Sequence, residues 1–318
     1  MTDTGPARRP EDVGLRLGVL SDIHLADPGA EPTAFNNPVR RGESEQFLRA
    51  ALDWLTPRVD ALVLLGDLAD EPRAASYRRL ARALAGAAQP VFALLGNHDL
   101  PNNPAAPAPA FAALAGVAEF PGRTRLGRHV LTSGPLARQG EAFRQFAALP
   151  APPVSPDAAP PDGADLLIWA AHFPALSLRA QISRCDWLYA GDLANRAEVA
   201  HTLAHWPGPV LALSGHLHVR AHAISGNTLQ LVCGALAEAP CEAAVVEVAP
   251  ARRGLRVARW CRTFAPARRA EFELGATLDR QFSAFRWERG RWRTARPTPL
   301  APRVATSAPE LRFRPKTP

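Results

Sequence analysis

The sequence is almost without lysine: Lys316 is the only one, and arginine carries the rest of the side-chain positive charge. Arginine suits phosphate recognition because its planar fork matches phosphate oxygens. With so much alanine and proline beside it, the same bias also follows from a genome rich in G and C, with no function attached. No apolar run is long enough to span a bilayer, so no membrane partner is expected. The N-terminus, Met1 to Pro6, is polar, and Arg8-Arg9 is followed by Pro10-Glu11-Asp12 rather than by an apolar stretch. That is not a twin-arginine export signal, and a cytoplasmic location is expected. The four cysteines (Cys185, Cys233, Cys241, Cys261) have no C-x-x-C spacing. Structural zinc and a disulfide framework are therefore set aside in favour of buried free thiols. There is no internal repeat.

The 318 residues suffice for a large core in one domain, or one domain with an appendage. The net charge of +7 is unevenly placed: residues 251–318 hold 17 basic and 5 acidic side chains, a net +12, which leaves −5 for the rest. The expected division is a flexible N-terminus over 1–14, a main domain over 15–261 and a basic Arg/Trp/Pro-rich extension over 262–318.

Along the chain, apolar runs alternate with amphipathic ones. Leu15 to Leu20 reads as a strand, and a long loop follows from Ala26 to Gly42. Ser44 is placed to cap a helix to about Leu55, with Phe47, Leu48, Leu52 and Leu55 on one face. Asp60 to Leu65 is a buried strand, Pro72 to Gly86 brackets a second helix, and Pro90 to Leu95 is a third strand. The alternation predicts a parallel βαβ core with helices on both faces. Short helices are expected near Ala110 to Leu114 and Glu141 to Leu149, and a surface loop over Pro150 to Pro161. Leu166 to Ala170 and Pro209 to Leu213 are further buried strands, flanking a helix over Asn195 to His205 with Asn195 and Glu198 as a capping box. Short antiparallel strands are expected near Ala221–Ile224, Leu229–Cys233, Ala243–Val248 and Leu255–Trp260.

Five of the apolar strands stop at residue types able to bind metals: Asp22 and His24; Asp67; Asn97 and His98; His172; His216 and His218. One such ending is usually a cap. Five in one parallel sheet lie on one edge, where α/β sheets bind ligands. Carboxylate, imidazole and amide without thiolate favour Mn, Fe, Zn or Ni, with Mn and Fe preferred. Asp22-x-His24 and His216-x-His218 are read as extended pairs with alternate side chains toward an ion and Ile23 and Leu217 toward the core. Asp67, with two carboxylate oxygens, can bridge two ions.

These blocks resemble the calcineurin-like metallophosphoesterases, whose pattern is D-x-H, G-D, G-N-H-[DE], H and G-H-x-H. Here it stands as Asp22-Ile23-His24, Gly66-Asp67, Gly96-Asn97-His98-Asp99, His172 and Gly215-His216-Leu217-His218, all present and in order. The resemblance implies an α/β/β/α sandwich with the metal site at strand C-terminal ends, helices outside, and antiparallel strands in the C-terminal half. It implies that Asp22, His24, Asp67 and His218 hold one metal and that Asp67, Asn97, His172 and His216 hold the other. It also implies that His98 faces the substrate instead of a metal. The chemistry the resemblance implies is hydrolysis of a phosphoester by hydroxide bridging two divalent or trivalent ions, with His98, expected to be oriented by Asp99, as general acid.

The motif spacing looks like that of class III cyclic-nucleotide phosphodiesterases, so a small phosphodiester or nucleotide is the expected substrate. The alternatives are a phosphomonoesterase, or a nucleic-acid-processing enzyme using the basic tail with Trp287 and Trp292 as stacking residues. A tail packed over the sheet is preferred to the last of these. Asn36, Asn37, Arg40 and Arg41 in the first long loop, and His222 past the last ligand pair, are candidate substrate contacts. Asp70 reads as a cap for the next helix or, less favoured, a hydrogen-bonding neighbour of the site. His129 reads as structural, His201 and His205 as surface or partly packed, and Gly191-Asp192 as a cap or turn.

Overall fold

The computed structural model describes residues 14–35, 38–103, 106–120, 122–146, 165–183, 191, 193–264 and 279–298. Its first half runs β1 (Leu15–Leu20), the two-residue β2 (Thr33–Ala34) and β3 (Pro38–Val39), α1 (Ser44–Leu55), β4 (Ala61–Leu64), α2 (Ala74–Leu84), β5 (Val91–Ala93), α3 (Pro109–Ala113), β6 (Arg123–Leu126), β7 (His129–Thr132), β8 (Leu136–Gln139) and β9 (Ala142–Gln145). The second half runs β10 (Leu166–Ala170), α4 (Arg179–Ile182), α5 (Arg196–Ala204), β11 (Val210–Ser214), β12 (Ala221–Ser225), β13 (Thr228–Val232), β14 (Glu242–Ala251), β15 (Gly254–Thr263), β16 (Phe282–Glu288) and β17 (Arg291–Ala295).

The strands do not form one parallel sheet. A seven-stranded sheet has the order β17-β16-β15-β14-β1-β4-β5, and a six-stranded sheet the order β12-β13-β11-β10-β7-β6. β1, β4 and β5 are parallel in the first, and β7, β10, β11 and β13 in the second. Side-chain alternation explains the stacking. Leu17, Val19, Ala61 and Val63 face inward against Leu166, Ile168, Leu211 and Leu213 of the other sheet. The alternate residues Leu62, Leu64 and Ala93 face outward under Leu48, Leu52, Leu55, Tyr77 and Leu80 of α1 and α2. Leu167, Trp169 and Ala212 take Val199 and Leu203 of α5 on the far side. Both faces of each central strand are thus dry, which is why these strands read as continuous apolar runs. The result is the α/β/β/α sandwich, with antiparallel strands in the C-terminal half as expected.

Several local expectations are corrected. The helix expected over Glu141–Leu149 is absent where the chain is described: Ala142–Gln145 is β9, paired antiparallel to β8, while 147–149 lie outside the described residues. Ser44 is buried as the first residue of α1, and its hydroxyl donates to the Arg41 carbonyl instead of capping. Asn195 is the N-cap residue of α5 but makes no side-chain cap hydrogen bond to the helix backbone; its amide meets the Glu198 carboxylate at 3.4 Å. Its amide exchanges hydrogen bonds with the Gln145 backbone at 3.2 and 3.0 Å, tying α5 to the β8–β9 hairpin. The boundary drawn at 261/262 falls inside β15, and β16 and β17 complete the larger sheet. Trp292 is 4% exposed, and its indole N–H donates to the Asn227 carbonyl at 2.8 Å. The surface loop expected over 150–161 lies outside the described residues, as does Cys185; the other three cysteines are buried and form no disulfide among the described residues. No helix among the described residues is long and apolar enough to cross a membrane, which says nothing of strands.

His129 sits in β7 at 8% exposure, its Nδ1 without a hydrogen-bond partner. Burial pushes its imidazole from 6.5 down to about 4. Between those values the unfolded chain binds a proton that the folded chain refuses. This residue therefore withdraws stability as the pH falls from 6.5 toward 4, by up to about 3 kcal/mol. In urea unfolding at pH 7 and pH ~4.5, His129→Asn should lose less stability between the two than the native chain does. An equal loss would contradict this account.

Candidate metal centre

The C-terminal ends of both sheets open onto one place. Past β1 the chain keeps its pairing with the segment after β4: the amides of Asp22 and His24 donate to the carbonyls of Gly66 and Asp67 at 3.1 and 2.9 Å. From the second sheet, His172 follows β10, and His216 and His218 follow β11, with the Gly215 amide donating to the His172 carbonyl at 2.9 Å. Two glycines are required by the closeness. A Cβ on Gly96 would lie 2.1 Å from Asp67 Oδ1. One on Gly66, whose φ is +93°, would lie 2.7 Å from both Gly96 N and His172 Nδ1.

The pairs Asp22/His24 and His216/His218 are not extended strands with alternating side chains. Asp22, His24, Asp67, His216 and His218 have φ values of 51°, 44°, 48°, 68° and 56°. Only Cys241 and Arg289 share that sign among the other described non-glycine residues. Each left-handed residue costs on the order of 1 kcal/mol or more, and such residues collect where function fixes the backbone. Here they swing each side chain out of the strand direction and into the common space.

Three donor groups result among the described residues: a partly exposed one of His24, Asp70 and His98, and two buried ones. Ligand atoms of Asp22, His24, Asp67 and His218 lie within 4.8 Å of one another, and so do those of Asp67, His172 and His216. Asp67 belongs to both. Its Oδ2 is 3.7 Å from His24 Nε2 on one side and 3.3 Å from His172 Nε2 on the other. Asn97 Oδ1 is 3.0 Å from His172 Nε2 and so extends the second group. His218 Nε2 is 3.3 Å from Asp22 Oδ1 and 3.2 Å from His24 Nε2. Thus the two histidines of the G-H-x-H block divide between the groups.

The electrostatics are those of a cation site. Burial alone would raise the Asp22 carboxyl, but the charges of His218 and His172 outweigh it and hold the group at about 2. Asp67 is held well below the usual carboxylate range in the same way, against burial, by His172 and His24. Burial would lower His172 and His218; the facing carboxylates raise them instead to about 9 and about 10. His216 goes down to about 3 through burial and the neighbouring His172 charge. Without ions, protons on His172 and His218 would balance these carboxylates, and cations held by the same residues would displace those protons. Buried, convergent oxygen and nitrogen donors, one carboxylate shared, and no lysine or arginine within either group fit metal ions.

His98 lies at the mouth, exposed, outside the two groups that share Asp67. Its ring stands edge-on to His24 at 4.7 Å, and its Nδ1 meets the Asp70 carbonyl at 2.8 Å. Asp99 does not orient it. The Asp99 carboxylate is fully buried and accepts from the amides of Leu68, Ala69 and Gly96 and from the Tyr77 hydroxyl, so it ties together the two loops that carry Asp67 and His98. Burial and the Asp67 charge push its carboxyl up to about 6. Asp70 does not cap α2, whose N-cap is Arg73. It faces the site instead, 3.5 Å from His24 Nδ1, and takes Arg41 at 2.8 Å.

Arg41 therefore reaches the site through Asp70, while Arg40 lies 3.6 Å from Glu43. Asn36, Asn37 and Asp192 fall outside the described residues. His222 is not gathered at the centre: it sits in β12, bonded to Asp279 at 2.8 Å and packed on Phe285. His201 on α5 and His205, its C-cap, are both exposed. Two neighbours were missed. Phe35, from the first long loop, brings its ring to 5.0 Å from His218, and the buried Glu238 bonds His218 Nδ1. Neither has a sequence signal beyond its type. On the His172 side, a cavity of about 540 Å³ is walled mainly by apolar side chains, among them Leu94, Leu95, Leu100, Phe111 and Phe120.

Two stacked sheets whose open ends gather aspartate, asparagine and histidine around a shared carboxylate define a metal-dependent hydrolase. A family model, calcineurin-like phosphoesterase, matches residues 15–220, about two thirds of the chain. The chain belongs to that family and is a metallophosphoesterase. No curated protein matches it. Solved structures similar to it include a purple acid phosphatase from yellow lupin (Lupinus luteus) seeds, 14% identical over 79% of this chain and 52% of that one, with a TM-score of 0.47. A phosphopantetheinyl hydrolase from Mycobacterium tuberculosis is 17% identical over 70% of this chain and 91% of its own, with a TM-score of 0.39. A phosphoesterase from E. coli is 14% identical over 74% and 93%, with a TM-score of 0.35.

Proposed function

We propose that this chain is a phosphodiesterase for small organic phosphodiesters, cyclic nucleotides among them, using two ions of the Mn or Fe type. Asp22, His24, Asp67 and His218 hold one ion; Asp67, Asn97, His172 and His216 hold the other. The observation that carries this reading is the pair of overlapping donor groups sharing Asp67. Bound ions acidify a water and offset phosphate charge, the Lewis-acid chemistry of two-metal hydrolases.

The chain's own residues supply the rest. His98, exposed beside the first group with Nδ1 held, is placed to deliver a proton from Nε2 to a departing alkoxide. The Arg41 guanidinium is already paired with Asp70, which suits the single negative charge of a diester better than the double charge of a monoester. The cavity beside His172 has the volume and apolar lining to seat the ester's organic group.

The test compares bis-p-nitrophenyl phosphate with p-nitrophenyl phosphate after chelator treatment and reloading with Mn, Fe, Zn or Ni singly. The stripped protein should be inactive, and the reloaded protein should turn over the diester faster. A monoester preference would replace the diesterase reading, and a chain that no ion reactivates would remove the enzymatic one.

A further inference from the structure

The family match ends at residue 220, yet the segment Gly234–Cys241 reaches back into the centre. The amides of Leu236 and Ala237 donate to the carbonyls of Ser21 and Asp22 at 2.9 and 3.2 Å. The Arg40 amide donates to the Ala237 carbonyl at 2.6 Å, and Val39 bridges to Glu238. This loop therefore holds the end of β1, where Asp22 projects, and the first long loop together. From its middle, the fully buried Glu238 carboxylate bonds His218 Nδ1. The other ring nitrogen of His218 faces Asp22 and His24.

Resting on the two-ion reading above, we propose that Glu238 is a positioning residue for one ion only. By accepting the Nδ1–H of His218 it fixes the tautomer and the ring plane, so that the Nε2 lone pair points into the Asp22, His24 and Asp67 group. A histidine ligand is commonly backed by a carboxylate in this way, and the backing group sharpens both its direction and its basicity. The second group is built differently: His172 Nδ1 is backed by a neutral carbonyl, that of Leu65, at 2.8 Å. Glu238 thus acts on one half of the centre, from outside the family's matched region.

The experiment titrates chelator-stripped native protein, Glu238→Gln and Glu238→Asp with Mn²⁺ by calorimetry, and with Co²⁺ by visible absorption. The native chain should take two ions. Glu238→Gln should keep the metal-free melting temperature and bind one ion as before, with the other weakened roughly 10–100-fold. Its Co²⁺ spectrum should change for that ion alone, and Glu238→Asp should recover part of the loss. If the native chain takes two ions and Glu238→Gln matches it in both affinity and spectrum, the inference fails alone. If Glu238→Gln instead melts far below the native chain without metal, Glu238 is a packing residue and the inference again fails. A native chain that takes fewer than two ions overturns the two-ion reading and this inference with it.

Discussion

Asp67→Asn should empty both metal groups together and lower kcat/KM by about 10³–10⁵-fold, since several kcal/mol of transition-state stabilisation disappear with the ions. Asparagine is the discriminating replacement. Asp67 Oδ1 also accepts the His98 amide at 2.9 Å, and an amide oxygen preserves that bond. The change thus removes the charge and leaves the loop shape. What is lost is the anion between His24 Nε2 and His172 Nε2, the one group that both sets share. His172→Ala, by contrast, touches only the second group and should leave one ion bound. Metal counting by inductively coupled plasma mass spectrometry on both variants decides the matter. If Asp67→Asn holds one ion as firmly as the native chain while His172→Ala loses both, the shared-ligand geometry is wrong.

The donors were legible because each buried strand ends abruptly in a polar residue. Leu62 to Leu65 before Gly66-Asp67 and Leu166 to Ala170 before His172 need no structure to be noticed. What the pattern could not carry was their division between two sheets. A strand dry on both faces looks the same under a helix as against a second sheet, so β10 and β11 read like β1 and β4. The backbone at the ligands was also invisible. Alternation predicts a common direction for Asp22 and His24, and the structure reaches it through two left-handed residues instead. Asp99 misled for a related reason. Sequence adjacency to His98 suggests contact, but the peptide geometry turns its carboxylate inward onto three amides and the Tyr77 hydroxyl. Asn195 showed cap chemistry at cap spacing, and a hairpin distant in sequence took its amide first. Glu238 lies 20 residues past His218 in an unpatterned stretch, so only folding relates the two.

His98→Ala should keep both ions and still lose about 10²–10⁴-fold in kcat on a diester whose leaving group is a simple alkoxide. The loss should nearly vanish with bis-p-nitrophenyl phosphate, because p-nitrophenolate departs without a proton. The contrast follows from position. His98 contributes no atom to either of the two overlapping donor groups that share Asp67, and its exposed ring stands at their mouth against His24. With Nδ1 committed to the Asp70 carbonyl, Nε2 is the atom left to face a leaving oxygen. His98 and Asp70 also join His24 in a third possible donor set, so the opposite result has a definite meaning. If His98→Ala lost an ion and kept its rate per remaining ion on the alkoxide ester, His98 would be a ligand. Asp99→Asn separates the two ways of disturbing this residue. The variant leaves the imidazole in place but weakens the ties from Gly96, Leu68 and Ala69 that fix the loop beneath it. It should reduce turnover of both esters alike, through misplacement of Asp67 beneath the loop. A leaving-group-dependent loss in Asp99→Asn would instead mean that the carboxylate acts on the His98 proton after all.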